Sequence, residues 1–276
     1  MKTISVFDAL HEGRHQAVAK RKLLKAIATS DTPEQAAHSY AGSTRDILSE
    51  SKKVTKGEAY GYLTKVLYLA PHALSGIQVC PFATPACKRD CLGHSDGKLV
   101  FNQQSEILRT WLMHYHPSLF NLKLDLSIIE LIGRAGAYGK SAAVRLNGSS
   151  DLDWTETIER YADKPVTFYD YTKDYERAVK SIDTDYHLTY SVSEDPASLD
   201  KAIELVRMGG TAAIVTHRNK TEAAAFGEHL SKLYDIQVND GDRHDLRFLD
   251  KGAMVTLSAK GSLAKTSPFV WTEARL

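Results

Sequence analysis

Cysteine is scarce in this chain, and none lies outside one short stretch. The three cysteines are Cys80, Cys87 and Cys91. An odd number of thiols does not fit a disulfide framework, and the polar start MKTISVFDALHEGRHQ is unlike a secretory signal. We therefore expect reduced thiols and a cytoplasmic protein.

An excess of charge of one sign is also absent. Lys plus Arg number 35 and Asp plus Glu 34, so no global field directs the chain to nucleic acid or to acidic lipid. The apolar runs are too short to span a bilayer, and we expect no membrane association. Hydrophobic residues make up 43%, which is enough for a sizeable globular core.

Residues 1–56 differ from the rest and predict a helical N-terminal extension. The segment RHQAVAKRKLLK has apolar positions at helical spacing and many basic residues between them. It predicts either a contact with nucleic acid or another protein, or simply a solvated helix face. A solvated helix face is the more common explanation of such a pattern.

Residues 57–276 alternate between short apolar strands and amphipathic helices. About six strands are predicted, among them SAAVRLNG, PVTFYDYT and GTAAIVTH. Such alternation requires parallel strands joined by crossover helices. We predict a full or partial (β/α) barrel of the α/β class, with an open doubly wound sheet as the alternative.

Polar residues follow most of these strands, where parallel α/β proteins build their sites. We expect Asn147, Asp151, Asp170, Lys173 and Glu194 to open on one cavity with the cysteine loop. Catalytic roles are predicted for Asp151, Asp170, Lys173 and Glu194, and cofactor binding for Asn147, Ser149 and Ser193. Each residue taken alone could equally cap a helix, Asp151 and Ser193 above all. The remaining strand-end residues receive no individual role: Arg145, Ser150, Tyr169, Tyr171, Ser191, His217, Arg218 and Lys260.

The cysteine segment CPFATPACKRDCLGH predicts a metal centre. Zinc would take four ligands, Cys80, Cys87, Cys91 and His94. An iron–sulfur cluster would use the three thiolates and leave one iron open to a further ligand. Unliganded structural cysteines and a catalytic thiol are the remaining interpretations. A second acidic stretch, DGDRHDLRFLD, predicts a turn, with a divalent cation site as the less favoured alternative.

Several blocks from about residue 60 onward resemble the gene product 88 domain family of phages and plasmids. They include SGIQVCPFATPACKRDCLG, AVRLNGSSDLDW, YHLTYSVSE and DGDRHDLRFLD. The resemblance implies a mobile-element protein, whose helical extension could then contact a host or phage protein.

More distantly, a cysteine loop after the first strand is similar to radical S-adenosylmethionine enzymes, which bind a [4Fe–4S] cluster there. This chain has C-x6-C-x3-C instead of C-x3-C-x2-C, and NGSSD where those enzymes have a Gly-Gly-Glu block. The resemblance implies an enzyme that uses such a cluster, with S-adenosylmethionine as cofactor, on a nucleic acid, nucleotide or other polar substrate. The alternative is a zinc-stabilised protein that binds nucleic acid or a host protein without catalysis.

Overall fold

The computed structural model describes residues 32–42, 46–50, 54–91, 103–217, 219–260 and 267–276. The basic segment RHQAVAKRKLLK, His94 and Arg218 lie outside these ranges, so the predictions that depend on them stay predictions. Within the described ranges, no helix is both long enough and apolar enough to cross a bilayer.

Seven parallel strands form one curled sheet, a half-barrel, in the order β1-β2-β3-β4-β5-β7-β6. This confirms the predicted partial (β/α) barrel. The strands are β1 (Tyr62–Val66), β2 (Ser141–Arg145), β3 (Val166–Thr172), β4 (Tyr186–Ser191), β5 (Thr211–Thr216), β6 (Val238–Asp240) and β7 (Met254–Ser258). The unpredicted strand is β6, whose three residues include the polar Asn239 and Asp240. A run so short and polar carries no apolar alternation for a sequence analysis to detect.

The described helices alternate with the strands as the sequence pattern predicts. They are α1 (Pro33–Ala41), α2 (Pro85–Arg89), α3 (Gln103–Tyr115), α4 (Pro117–Ala137), α5 (Thr155–Glu159), α6 (Tyr175–Lys180), α7 (Pro196–Arg207) and α8 (Lys220–Tyr234). Side chains before the helix define several of these starts. Asp174 and Asp195, for example, accept hydrogen bonds from the backbone N–H groups of Arg177 and Ala197.

The two faces of the sheet carry different clusters because successive side chains of a strand point to opposite faces. In β2, Ala142 and Val144 belong to the large core beneath the helices, whereas Ala143 faces the concave side. In β3, Phe168 and Tyr169 divide in the same way. The concave face therefore holds a smaller cluster of its own.

Residues 241–250, between β6 and β7, fill this concave face, and we call them the plug. Leu246 is fully buried against Ala143 and Tyr169, and Phe248 packs beside them. Arg145, the last residue of β2, pairs with Asp245 of the plug at 2.6 Å. The plug therefore packs on the concave face through Leu246 and Phe248 and reaches the carboxyl end of β2 through Asp245.

The described part of the predicted extension packs into the same core as the sheet. Helix α1 lies against α3, and Ile47 is fully buried in the large cluster. Ser49 forms an antiparallel bridge with Val66 of β1, and Lys65 pairs with Asp46. The division of the chain at residue 56 stays a prediction, but residues of 33–42 and 46–50 share the hydrophobic core of the main domain.

Candidate functional site

A cavity of about 400 Å³ lies at the carboxyl end of the strands. Its wall combines the cysteine segment, the strand ends and the C-terminal segment. The residues that matter for its chemistry are Cys87, Cys91, Arg145, Tyr171, Lys173, Ser191, Lys260 and Phe269. This is the edge at which the sequence predicts a site, since parallel strands deliver their following loops to one rim.

The cysteine segment follows β1 and contributes two thiols to the cavity wall. Cys87 lies in the short helix α2, and Cys91 follows that helix. Thr84 caps α2, and its hydroxyl oxygen accepts a hydrogen bond from the N–H of Cys87 at 3.3 Å. Both cysteines therefore sit on backbone whose path is fixed at the start of the helix.

Cys80 lies deeper than the other two cysteines. Its thiol donates to the carbonyl of Ser149 at 3.5 Å and accepts from the N–H of His72 at 3.3 Å. Burial raises the pKa of this thiol to about 12, and the nearby Cys91 and Cys87 add to the rise. Cys87 and Cys91 thus lie close enough to the thiol of Cys80 to act on it electrostatically.

The described residues contain no group of three His, Cys, Asp or Glu side chains placed to hold a metal ion. His94, the expected fourth ligand for zinc, lies outside them. The convergence of Cys80, Cys87 and Cys91 on one metal centre therefore stays a prediction.

Glu194, predicted as catalytic, anchors the cysteine segment. Its carboxylate accepts hydrogen bonds from the hydroxyl of Thr84 at 2.6 Å and from the N–H of Ala86 at 3.0 Å. Burial alone would raise its pKa, but these hydrogen bonds hold the pKa below the ordinary value. Glu194 does not line the cavity, and its observed contacts are with the backbone and cap of α2.

Asp151, also predicted as catalytic, holds two other segments in place. Its N–H donates to the carbonyl of Val79 at 2.8 Å, next to Cys80. Its carboxylate accepts from the N–H of Lys173 at 2.9 Å and pairs with Arg177. The residue therefore connects the cysteine segment to the end of β3 without lining the cavity.

Asp170 is fully buried and joins three neighbouring strands. Its carboxylate accepts from the N–H of Asn147 at 2.7 Å, from the N–H of Leu146 at 3.2 Å and from the hydroxyl of Tyr186 at 2.8 Å. Burial raises its pKa to about 6. It points away from the cavity, on the opposite face of β3 from Tyr169 and Tyr171.

The three residues predicted to bind a cofactor use their side chains in hydrogen bonds within the protein. The side-chain oxygen of Asn147 accepts hydrogen bonds within its own loop, from the N–H of Leu152 at 2.9 Å and the indole of Trp154 at 3.1 Å. The hydroxyl of Ser149 donates to the carbonyl of Leu69 at 2.5 Å. Asn147 and Ser149 line the cavity, whereas Ser193 does not and accepts a local hydrogen bond from the N–H of Asp195. Their role toward a cofactor stays a prediction.

Lys173 is the one predicted catalytic residue that lines the cavity. Its ammonium donates to the hydroxyl of Ser191 at 2.9 Å and lies 4.7 Å from the centre of the Phe269 ring. Asp151 holds the backbone of Lys173, Ser191 accepts a hydrogen bond from its ammonium, and the Phe269 ring covers one side of that ammonium. Lys173 is therefore an oriented cation at the wall of the cavity.

Sequence reasoning did not assign roles to three residues that shape this cavity: Arg145, Tyr171 and Phe269. Arg145 lies 5.0 Å from the ring centre of Tyr171 and pairs with Asp245, which the sequence does not reveal because 100 positions separate them. Strand alternation could have placed Tyr171 with Tyr169 on the concave face. No local signal identifies Phe269, which lies beyond the last strand.

The acidic plug behaves as a set of separate contacts. Asp242 pairs with Lys260 at 3.0 Å and accepts from the N–H of Ser258 at 3.1 Å, while Asp245 pairs with Arg145. Asp240 accepts from the N–H of Asp242, which is the hydrogen bond of an Asx turn. These contacts agree with the predicted turn.

The gene product 88 family model matches residues 42–273. The match begins inside the predicted extension and reaches nearly to the end of the chain. No curated protein and no solved structure matched this sequence. Because the match spans well over half of its length, the chain belongs to the gene product 88 family.

Proposed function

We propose that this protein binds an iron–sulfur cluster through Cys80, Cys87 and Cys91, beside a cavity that accepts a small polar substrate. The observation that carries this proposal is the position of Cys87 and Cys91 in the wall of the cavity at the strand-end rim. Thiols with no role but packing would be expected in the apolar core instead.

The residues present fit such a group in their chemistry. Three thiols on one segment match the usual donors of iron–sulfur clusters, and the absence of a fourth would leave one iron open to a further ligand. Binding would require Cys80 to lose its proton and its hydrogen bond to Ser149. Metal binding commonly rearranges and stabilises its own ligands in this way.

The predicted catalytic residues then divide into two kinds. Lys173 would contact the substrate, since it lines the cavity. Asp151 would position Lys173, and Glu194 would position the cysteine segment, because their carboxylates are used in those contacts. Asp170 would hold the ends of β2 and β3 in register. Use of S-adenosylmethionine stays a prediction that the experiment below also addresses.

Anaerobic purification followed by iron, sulfide and zinc analysis tests the proposal. We expect iron and sulfide together with brown colour and broad absorption in the visible blue, and their loss in Cys87→Ser and Cys91→Ser. Circular dichroism of each variant separates loss of cluster from loss of fold. A change in the electron paramagnetic resonance spectrum of the reduced protein on adding S-adenosylmethionine would support an enzyme of that class.

One zinc per chain, lost on substitution of His94 as well as of the cysteines, would instead establish the zinc-stabilised alternative. Protein that stays free of both metals after reconstitution with iron and sulfide would overturn the metal proposal. A role of the basic N-terminal segment toward nucleic acid or a host or phage protein stays a separate prediction.

A further inference from the structure

We infer that the cavity binds its ligand through an anionic group, a carboxylate or a phosphate, which pairs with Lys173. The inference names the substrate class of the cavity described above and rests on that part of the proposed function. It does not depend on which metal the cysteines hold.

Among the described residues that line the cavity, each charged side chain except Lys173 has an ion-pair partner. Arg145 pairs with Asp245 at 2.6 Å, and Lys260 with Asp242 at 3.0 Å. Asp90, an acidic residue of the wall, pairs with Arg89, whose Nε lies 2.6 Å from its carboxylate. These pairs leave no surplus charge of their own.

Lys173 makes no ion pair with any carboxylate of the described part of the chain. Glu194 is near enough for Lys173 to favour its ionised form, but the hydrogen bonds of Glu194 go to Thr84 and Ala86. The contacts of the ammonium within the described residues are a hydrogen bond to the hydroxyl of Ser191 and the face of the Phe269 ring. An ammonium has three donors, so Lys173 retains capacity for an anion.

Two further polar groups of the wall point to the same conclusion. The hydroxyl of Tyr171 and the Nε of Arg145 are both buried, and neither has a hydrogen-bond partner in the part of the chain that the structure describes. Buried polar groups in folded proteins are nearly always satisfied. An anion in this cavity would supply acceptor oxygens in a wall that already presents a cation and a hydroxyl.

The size of the cavity favours a small molecule. A volume of about 400 Å³ lies within the range of small-ligand pockets, about 300–1,000 Å³. Phe269 covers one side of the Lys173 ammonium and reduces its contact with water, which strengthens a charge–charge contact. A nucleotide or a small carboxylic acid fits this description.

Isothermal titration calorimetry with inorganic phosphate, succinate and adenosine 5′-monophosphate tests the inference. We expect saturable binding of at least one of them to the wild-type protein. Lys173→Met should weaken it by at least about tenfold, since hydrogen bonds to charged groups contribute about 1.5–3 kcal/mol. Tyr171→Phe and Ser191→Ala should weaken it less, and the pattern among the three anions distinguishes phosphate from carboxylate.

Lys201→Met is the matched control, because Lys201 also lies over an aromatic ring, that of Tyr175 at 5.5 Å, but does not line the cavity. It should leave affinity within about twofold of wild type, in keeping with the small effect of surface substitutions. Equal affinity of Lys173→Met and wild type, or no binding of any of the three anions, would overturn the inference.

Iron and sulfide contents of the same samples keep the two proposals separate. Anion binding without a cluster would leave the inference standing and contradict the iron–sulfur proposal. A cluster in a protein that binds none of the anions would support the iron–sulfur proposal and overturn the inference about the anion. Circular dichroism confirms that each variant is folded, and Ser191→Ala provides a second variant if Lys173→Met does not fold.

Discussion

The carboxylate of Glu194 accepts a hydrogen bond from the hydroxyl of Thr84 at 2.6 Å, across 110 positions of sequence. This contact joins the end of β4 to the cap of α2 and so fixes the cysteine segment over the cavity. A residue that looks catalytic by its position at a strand end is thus tied into the structure around the thiols.

Glu194→Gln should loosen the cysteine segment, because an amide accepts more weakly than a carboxylate and offers one acceptor oxygen instead of two. We expect faster hydrogen exchange in residues 84–91 and little change elsewhere. Glu204→Gln is a matched control, since Glu204 accepts from the hydroxyl of Tyr175 at 2.8 Å, away from the cavity. Unchanged exchange in residues 84–91 of Glu194→Gln would contradict the anchoring role.

The hydrogen bonds from Thr84 and Ala86 to Glu194 should weaken in acid. Because the pKa of Glu194 is lowered in the folded protein, its contribution is complete above the ordinary value of 4.5 and is lost as pH falls through the lower folded pKa. The rate of backbone hydrogen exchange in residues 84–91, corrected for its intrinsic pH dependence, should therefore rise below about pH 4.5 in the wild-type protein. Glu194→Gln should lack this rise.

The pair of Arg145 and Asp245 should be strongly coupled. Removing Asp245 leaves the guanidinium of Arg145 buried without its counter-ion, so Asp245→Ala should destabilise the fold by about 3–5 kcal/mol in urea denaturation. The double variant Arg145→Met, Asp245→Leu should recover much of this loss. Additive losses in a double-mutant cycle would show that the two side chains do not act as a pair.

Much of the half-barrel could be predicted because its strands are apolar runs between helical patterns. Strand β5, TAAIVT, is almost wholly buried and reads as a strand from its sequence alone. The short helix α2 could not be found in this way. Its five residues, PACKR, form one turn that depends on the Thr84 cap and on Glu194, which is distant in sequence.

The site was predictable in its location but not in its inner wall. A strand-end position brings a residue to the rim, whereas the alternation of side chains decides which face it occupies. Asp170 lies between Tyr169 and Tyr171, and these two share the concave side, so Asp170 points to the other face. The contact of Lys173 with Phe269 is a tertiary contact between distant segments and leaves no local pattern.

Substitution of Ile47 tests whether residues 46–50 belong to the main fold. Its side chain is fully buried in the large core, so Ile47→Ala should cost about 2–5 kcal/mol in the free energy of unfolding. The control Leu122→Ala removes a side chain that is 54% exposed on α4 and should change stability little. Equal urea midpoints for the two variants would place this segment outside the cooperative core.

Glu106 should make the fold less stable as pH rises from about 4.5 to about 7. Its carboxyl is fully buried in α3, and neither oxygen has a hydrogen-bond partner among the described residues. Burial raises its pKa to about 7, and Arg109 partly offsets this rise. The folded state therefore holds a proton that the unfolded chain releases near pH 4.5, so stability should fall between about pH 4.5 and 7 and then level off. Glu106→Gln should remove this dependence and be more stable than wild type at pH 8 by roughly 1–3 kcal/mol, measured by urea denaturation across pH.

Glu228→Gln, an exposed change on α8, should keep the wild-type profile of stability against pH. Parallel profiles for Glu106→Gln and wild type would show that Glu106 is already ionised in the folded protein at neutral pH.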